Sequence, residues 1–580
     1  MQQAISSPLI DSAASSRERA FEILSLAAVA VAAVGVYGFL FNRANVLSYS
    51  IGYNLCAAER VLEGSVPYRD FHTLYPPATF WLNAALFKWL GVSLYAALLG
   101  VLVFKAATVV MIYLAGRQLM PRAWALVAAL SSLVWLRPNG PFKSVPMHYG
   151  AFFLALAMYL LLRNVNRQNL VSIFLAGASL GLVALFKHNI GAYALAGSLI
   201  LLLYGRPSVA APPSDGAAFK RGGAATEGHP YRVLVLLLGF AAAVAPTVVY
   251  MAINRALRPM IKTLLFGPGE FLLNRLAIPL SPVTPALLMV LLAVTAYASY
   301  KLKAHRLTAV SLWVLSIATT SAFLLRGNQA DVNQIIFYLP MLVLGCGLLV
   351  GLFSKEVSAT SRRHLVIVVV FAAASFMELF PRFAREQSIA AMPFVMLALF
   401  YLLYVLRPAV RSLSAGATGF RLAIAVLPIV FVLMEARLFL GTYFESGLKF
   451  KARKELNIER GRRVLFPEAT ARLIDDVVSY VQQQVAPGGY AFAQSDAGSS
   501  FLFLADRRNI SNAQFWIGVG VTEQERAATL ERIDKSQTKL IITSDDVLAA
   551  ERYEPMREYI NKNFRVVVRF EDVLMLERQE

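Results

Sequence analysis

The chain has 580 residues, of which 57% are hydrophobic and only 16% charged, with a mean hydropathy of +0.57. Those values exclude an ordinary soluble globular protein and describe a polytopic membrane protein. The formal charge of +20 does not imply a nucleic-acid partner, because acids and bases are nearly equal in number from about Gly441 onward and the excess lies in the apolar part.

Residues 1–20 are polar up to Arg19 and read as a cytoplasmic N-terminal segment. The apolar run from Ile23 to Phe41 is long enough to cross a bilayer and too long for a signal-peptide core, which predicts an uncleaved first helix. A long first outer loop follows over 43–93. Within it, Val66-Pro67-Tyr68-Arg69-Asp70-Phe71-His72-Thr73-Leu74-Tyr75-Pro76-Pro77 crowds charge, aromatics and prolines between apolar stretches. Ala78 to Leu90 is apolar, carries Trp81, Phe87 and Trp89, and at about thirteen residues is short for a span. Counting it as a span would invert every later loop, so it is expected to lie in the outer interface, a depth that suits its tryptophans.

Further spans are expected at Leu94 to Leu114, Ala123 to Leu136, Tyr149 to Leu162, Val171 to Leu185, Ile190 to Tyr204 and Val233 to Ile253. The second half adds Ala286 to Tyr300, Leu307 to Leu325, Gln334 to Phe353, Leu365 to Leu379, Ala390 to Leu406 and Leu422 to Leu440. With the first helix this gives about thirteen spans over 21–441. Residues 206–231, rich in Pro, Gly and Ala, read as a cytoplasmic linker. From 442 to 580 the pattern becomes soluble. Helices are expected at Thr470 to Gln484 and Thr522 to Lys535, and strands at Tyr490 to Ala493, Phe501 to Ala505, Lys539 to Thr543, Arg565 to Val568 and Val573 to Leu576. The fold class is therefore an all-α polytopic membrane domain with outer interfacial helices, plus a small C-terminal α/β domain.

Basic residues set the orientation, since cytoplasmic loops collect Lys and Arg. An inside N-terminus places Arg17, Arg19, Arg117, Arg122, Arg163, Arg167, Lys220 and Arg221 in the cytoplasm, and the later inner loops follow with Lys301, Lys355, Arg362 and Arg407. An odd number of spans then puts the C-terminal domain outside. Cys56 and Cys346 have no metal-site or redox spacing and read as small apolar residues.

Gly64-Ser65-Val66-Pro67-Tyr68-Arg69-Asp70-Phe71, followed by Tyr75-Pro76-Pro77 and Phe80-Trp81-Leu82-Asn83-Ala84, resembles the first outer loop of GT-C-fold glycosyltransferases. More narrowly, it is similar to the bacterial group that includes the protein mannosyltransferase-like and aminoarabinose transferase-like enzymes. The long first loop, the number of spans and the C-terminal run Phe503-Leu504-Ala505-Asp506-Arg507-Arg508-Asn509 extend the resemblance over nearly the whole chain. It implies transfer of a sugar from a polyprenyl-phosphate carrier to a lipid, glycan or protein acceptor, at the outer face of a bacterial cytoplasmic (inner) membrane.

Such a transfer requires a base for the acceptor hydroxyl and cations for the departing phosphate. The resemblance implies an acid just before Gly52-Tyr53, where Ser50 and Ile51 stand. Among the loop-one acids Glu59, Glu63 and Asp70, that leaves Asp70 as the candidate base, with His72 as a second proton-handling candidate. Arg69 and Tyr75 border them. Candidate donor-binding residues at outer helix ends are Lys143 and His148, then Lys187 and His188, then Arg326 and Arg382. An adjacent Lys and His at membrane depth are costly enough to suggest function. In related enzymes an Arg-x-Asp-x-x-His-like run often occupies such a turn; only Arg382 carries over. The six histidines show no zinc-ligand spacing. The loop-one acids leave room for a divalent cation without requiring one.

Two other functions fit the same composition. A transporter or flippase of lipid-linked saccharides would place its polar residues near the bilayer midplane, whereas here they gather at outer helix ends. A noncatalytic polyprenyl-lipid-binding relative would be consistent with Ser50 in place of an acid.

Overall fold

The structure is a computed structural model that describes residues 8–43, 49–136, 145–167, 169–204, 228–266, 329–354, 357–379, 385–412, 453–494, 497–512, 523–551 and 553–579, with single positions at 294, 429, 433 and 437. The membrane part is helical. In chain order it contains α1 (Pro8–Leu40), α2 (Tyr49–Leu62), α3 (Ala78–Leu90), α4 (Leu94–Leu119), α5 (Arg122–Trp135), α6 (Val145–Arg167), α7 (Leu170–Phe186) and α8 (His188–Tyr204). It continues with α9 (Gly228–Ile253), α10 (Leu257–Phe266), α11 (Gln329–Phe353), α12 (Ala359–Phe376) and α13 (Arg385–Ser412).

Ten of the expected spans thus have a helix among the described residues; the span at 307–325 lies outside them, and those at 286–300 and 422–440 are described only at single positions. Six described helices are long and apolar enough to cross a membrane, within α1, α4, α6, α9, α12 and α13. Shorter apolar helices occupy α5, α7, α8 and the end of α11. Local chemistry sets their ends. Asn169 accepts the Val171 N–H at 2.9 Å to start α7, and extended backbone at Lys187 stops it.

Helices α7 and α9 pack with their backbones in direct contact. A Cβ on Gly177 would lie 2.0 Å from the Leu236 carbonyl oxygen, and one on Gly239 would lie 2.0 Å from that of Phe174. Small residues let the two backbones touch, which is how helices associate where lipid removes the hydrophobic drive between them.

Loop one holds two helices. α3 begins and ends where the sequence places it, while α2 is an addition. Phe80, Asn83, Ala84 and Phe87 of α3 are buried and Trp89 at its end is exposed. Trp81 meets Tyr250 of α9 edge-on at 5.6 Å.

From Arg453 the chain forms a two-stranded antiparallel sheet of β1 (Arg453–Glu455) and β2 (Leu465–Pro467), then α14 (Glu468–Gln484), β3 (Tyr490–Ala493), α15 (Gly498–Ala505) and β4 (Arg508–Asn509). α16 (Glu523–Lys535), β5 (Leu540–Thr543), α17 (Asp545–Ala550), α18 (Glu554–Asn563), β6 (Phe564–Phe570) and β7 (Val573–Arg578) complete it. The five-stranded sheet has the order β4-β3-β5-β7-β6, with β3 parallel to β4 and β5, and β7 antiparallel to β5 and β6. One expectation is corrected. Phe501 to Ala505 is the end of helix α15, not a strand; all its residues are buried, and a short wholly apolar run carries no period to separate the two. It stops at Asp506, which takes the left-handed conformation at φ 57°.

This C-terminal unit sits at the loop-one end of the bundle. The Leu465 N–H donates to the Asn42 carbonyl at 2.7 Å, and Asn42 Nδ2 donates to the Arg463 carbonyl at 3.0 Å. At the opposite end Glu22 pairs with Arg117 at 2.8 Å and Arg122 at 3.7 Å. The C-terminal unit and loop one therefore share one face of the bundle, and the Arg117–Arg122 turn lies on the other.

Candidate active site beneath the first loop

The first loop is a tight turn mounted on an aromatic block. Tyr68 adopts φ 68°, and its N–H donates to the Phe71 carbonyl at 2.9 Å while the Asp70 N–H donates to that of Val66 at 3.0 Å. The Asp70 carboxylate accepts the Val66 N–H at 2.7 Å and both Nε and Nη2 of Arg69 at 2.8 Å. Those bonds, the one from Arg69 foremost, hold its pKa below the usual carboxylate value. Asp70 is thus an anion that forms the turn and pairs with Arg69. Tyr68 donates to the Tyr75 carbonyl at 2.6 Å, and Tyr53 meets the rings of Tyr75 and Phe80 at 5.8 and 6.1 Å. Tyr75 is therefore held on two sides.

Below Tyr75 lies a buried ion pair. Lys187, where α7 ends, places Nζ 2.9 Å from Oε1 of Glu378 and 5.0 Å from the centroid of the Tyr75 ring. Glu378 belongs to the 3-10 turn Met377–Leu379 that closes α12. Its other oxygen accepts from Asn189 Nδ2 at 3.1 Å. The Lys187 and Glu378 side chains are 14% and 2% exposed. Two neighbouring buried atoms, Nδ1 of His188 and Oδ1 of Asn189, have no hydrogen-bond partner. Buried polar groups are nearly always paired, and among the described residues these two are not.

The other expected site residues divide. The His72 backbone N–H donates to the Asn512 carbonyl at 3.0 Å, which ties loop one to the C-terminal unit, and its Nε2 is buried and unpartnered among the described residues. Burial lowers its pKa, opposed by Glu525. His148 is buried in the first turn of α6, near enough to Lys105 of α4 for the lysine charge to act on it. Arg69 turns to Asp70. Lys143, Arg326 and Arg382 lie outside the described residues, and Ser50 is in α2. The loop-one acids do not gather around a cation: Glu59 pairs with Arg460 at 2.7 Å, Glu63 with Arg508 at 2.7 Å and Asp70 with Arg69. Among the described residues no group of three His, Cys, Asp or Glu side chains could hold a metal ion.

Glu378 and Lys105 were missed from sequence. Each is a lone charge in an otherwise apolar expected span, and intramembrane charge is itself the signal that could have found them.

The same architecture occurs in solved structures. ArnT from Cupriavidus metallidurans bound to undecaprenyl phosphate superposes with a TM-score of 0.53 at 12% identity, covering 96% of this chain and 97% of that one. Its apo state gives 0.52 at 12% identity, with 97% and 98% covered. The chain has the GT-C fold. A third GT-C structure, the apo oligosaccharyltransferase of Archaeoglobus fulgidus, aligns at a TM-score of 0.51 and 12% identity over 91% of this chain and 70% of that one. Residues 75–213 match the family model described as dolichyl-phosphate-mannose-protein mannosyltransferase. That segment begins at Tyr75 and includes Lys187 and Asn189. No curated protein matches the chain in sequence.

Proposed function

We propose that this protein is an integral-membrane glycosyltransferase that moves a hexosyl or pentosyl group from a polyprenyl-phosphate carrier to a lipid, glycan or protein acceptor at the outer face of a bacterial cytoplasmic membrane. The transmembrane unit covers 21–441 and the extracytoplasmic α/β domain 442–580. Loop one, α3 and the C-terminal unit lie on the outer side, where α3 rests in the interface.

The observation that carries this reading is the Lys187 ammonium, buried beneath Tyr75 at the loop-one end of a GT-C bundle. A buried cation at a helix end facing an aromatic wall suits a lipid phosphate, whose charge grows as the sugar departs. The match of residues 75–213 to a dolichyl-phosphate-mannose-dependent family and the fold shared with an ArnT solved with undecaprenyl phosphate support the donor class. His188 and His148 are assigned to the donor side, with Lys143, Arg326 and Arg382 at neighbouring outer turns. Asp70, Arg69 and His72 shape loop one around the site.

The test is transfer by the purified full chain in nanodiscs from a panel of undecaprenyl-phosphate hexoses and pentoses to a cell-envelope extract. Transfer from at least one donor is expected, and Lys187→Met should abolish it while weakening undecaprenyl phosphate binding at least tenfold. No transfer from any donor, with lipid binding intact, would instead favour a noncatalytic lipid-binding protein; net movement of the intact donor across the bilayer would favour a flippase.

A further inference from the structure

We propose that Glu378 is the proton acceptor for the acceptor hydroxyl, and that it is released for this task when the donor phosphate draws Lys187 away from it. The inference rests on the transferase reading above and adds the catalytic base that the loop-one acids do not supply. Glu59, Glu63 and Asp70 are each engaged by an arginine, and Ser50 stands where an acid is implied. Glu378 is the one carboxylate in direct contact with the Lys187 cluster among the described residues.

Its surroundings fit the role. A buried carboxylate with a single cation is balanced as long as that cation stays. A phosphate entering beside Tyr75 competes for the same ammonium, since Lys187 has three donors and among the described residues only the Glu378 oxygen is bonded to it, at 2.9 Å. Once the charge of Lys187 is shared, the Glu378 carboxylate is left in a water-poor site with Asn189 Nδ2 at 3.1 Å to hold it in place. Binding of the donor thereby turns a structural ion pair into a base next to the reacting centre. The unpartnered Oδ1 of Asn189 and Nδ1 of His188 offer positions for sugar or acceptor hydroxyls.

The step balances. The acceptor oxygen forms a bond to the anomeric carbon as the bond from that carbon to the phosphate oxygen breaks. The electron pair leaves with the polyprenyl phosphate, whose added negative charge meets Lys187. The hydroxyl proton passes to Glu378, which returns it to water after product release.

The test uses the full chain in nanodiscs, with undecaprenyl phosphate as binding probe and the undecaprenyl-phosphate sugar panel for turnover. Glu378→Gln keeps the shape and the Asn189 contact and removes the charge. It should bind undecaprenyl phosphate about threefold or more tightly than wild type, because Lys187 is no longer shared, while turnover falls by about 10²–10⁴-fold, the usual range for loss of a general base. Turnover within about threefold of wild type would overturn the inference and leave the transferase reading standing. Absence of transfer by the wild type from every donor would overturn both. If Glu378→Gln does not fold, Glu378→Asp decides: it keeps the charge but sets the carboxylate one methylene further back, so turnover should fall at least about tenfold while undecaprenyl phosphate binding stays within about threefold of wild type, and turnover within about threefold of wild type would overturn the inference.

Discussion

Glu59 of α2 and Arg460, which lie 401 positions apart, form a 2.7 Å ion pair that fastens the C-terminal unit to loop one. Arg460 also reaches Asp506 at 2.5 Å and the Phe503 carbonyl at 3.0 Å, while Phe503 stacks on Phe87 of α3 at 5.9 Å. Breaking one side of a fully buried pair costs about 3–5 kcal/mol. Here the partners are 15% and 19% exposed, so Arg460→Ala is expected to cost less, about 2 kcal/mol. Limited proteolysis should then cut between the membrane helices and the C-terminal unit faster than in wild type. Unchanged cleavage would show that the pair does not hold the two together.

Asp70 and Glu378 give opposite expectations in one assay. Asp70→Asn removes the anion that receives Arg69 and the Val66 N–H and should reduce sugar transfer by less than about tenfold, through loosening of the turn. A fall in the range of about 10²–10⁴-fold, the signature of a lost base, would restore Asp70 to the catalytic role the sequence suggests for it.

Part of this architecture is written in local sequence. The bounds of α3 follow from Pro77, the apolar run and Gly91, and the span-like helices from runs of Leu, Val and Ala. Tyr75 and Lys187 were both legible, one from a Pro-rich aromatic cluster and the other as a charge between two apolar runs. What joins them was not. Glu378 comes to Lys187 through the folding of α12 against α8, a contact between positions 189 and 378 that no spacing encodes. The α15 helix was read as a strand because burial on every side erases its period. Asp70 stands as the candidate base because Ser50 and Ile51 occupy the place where the resemblance implies an acid, and its bond to the Val66 N–H appears only once the turn is formed.

The α7–α9 contact predicts a steric limit. Gly177→Ala would put a methyl 2.0 Å from the Leu236 carbonyl oxygen and 3.0 Å from the Phe240 nitrogen, both backbone atoms that cannot swing aside. Overpacking of this kind typically costs about 1–3 kcal/mol. Thermal unfolding in detergent should show a lowered midpoint for Gly177→Ala and none for Gly35→Ala, whose added Cβ meets nothing within 4 Å. Equal midpoints for the two variants would refute the close approach of α7 and α9.

His72 predicts how the outer assembly responds to acid. Burial between loop one and the C-terminal unit lowers its pKa below 6.5, with Glu525 pulling it partly back. Just below pH 6.5 the unfolded chain therefore binds a proton that the folded chain does not, so folding is penalised as the pH falls. The contribution of this residue is fully present above pH 6.5 and is lost as the pH drops from there through the depressed folded value; each unit of depression is worth about 1.4 kcal/mol. His72→Gln removes the titrating group, and its unfolding midpoint should lose the part of the decline between pH 6.5 and 5 that wild type shows. Parallel curves for the two proteins would mean that His72 is protonated as readily in the fold as outside it. Its Nε2, buried without a hydrogen-bond partner among the described residues, argues the reverse, because a charged imidazolium would present a second N–H that none of those residues receives.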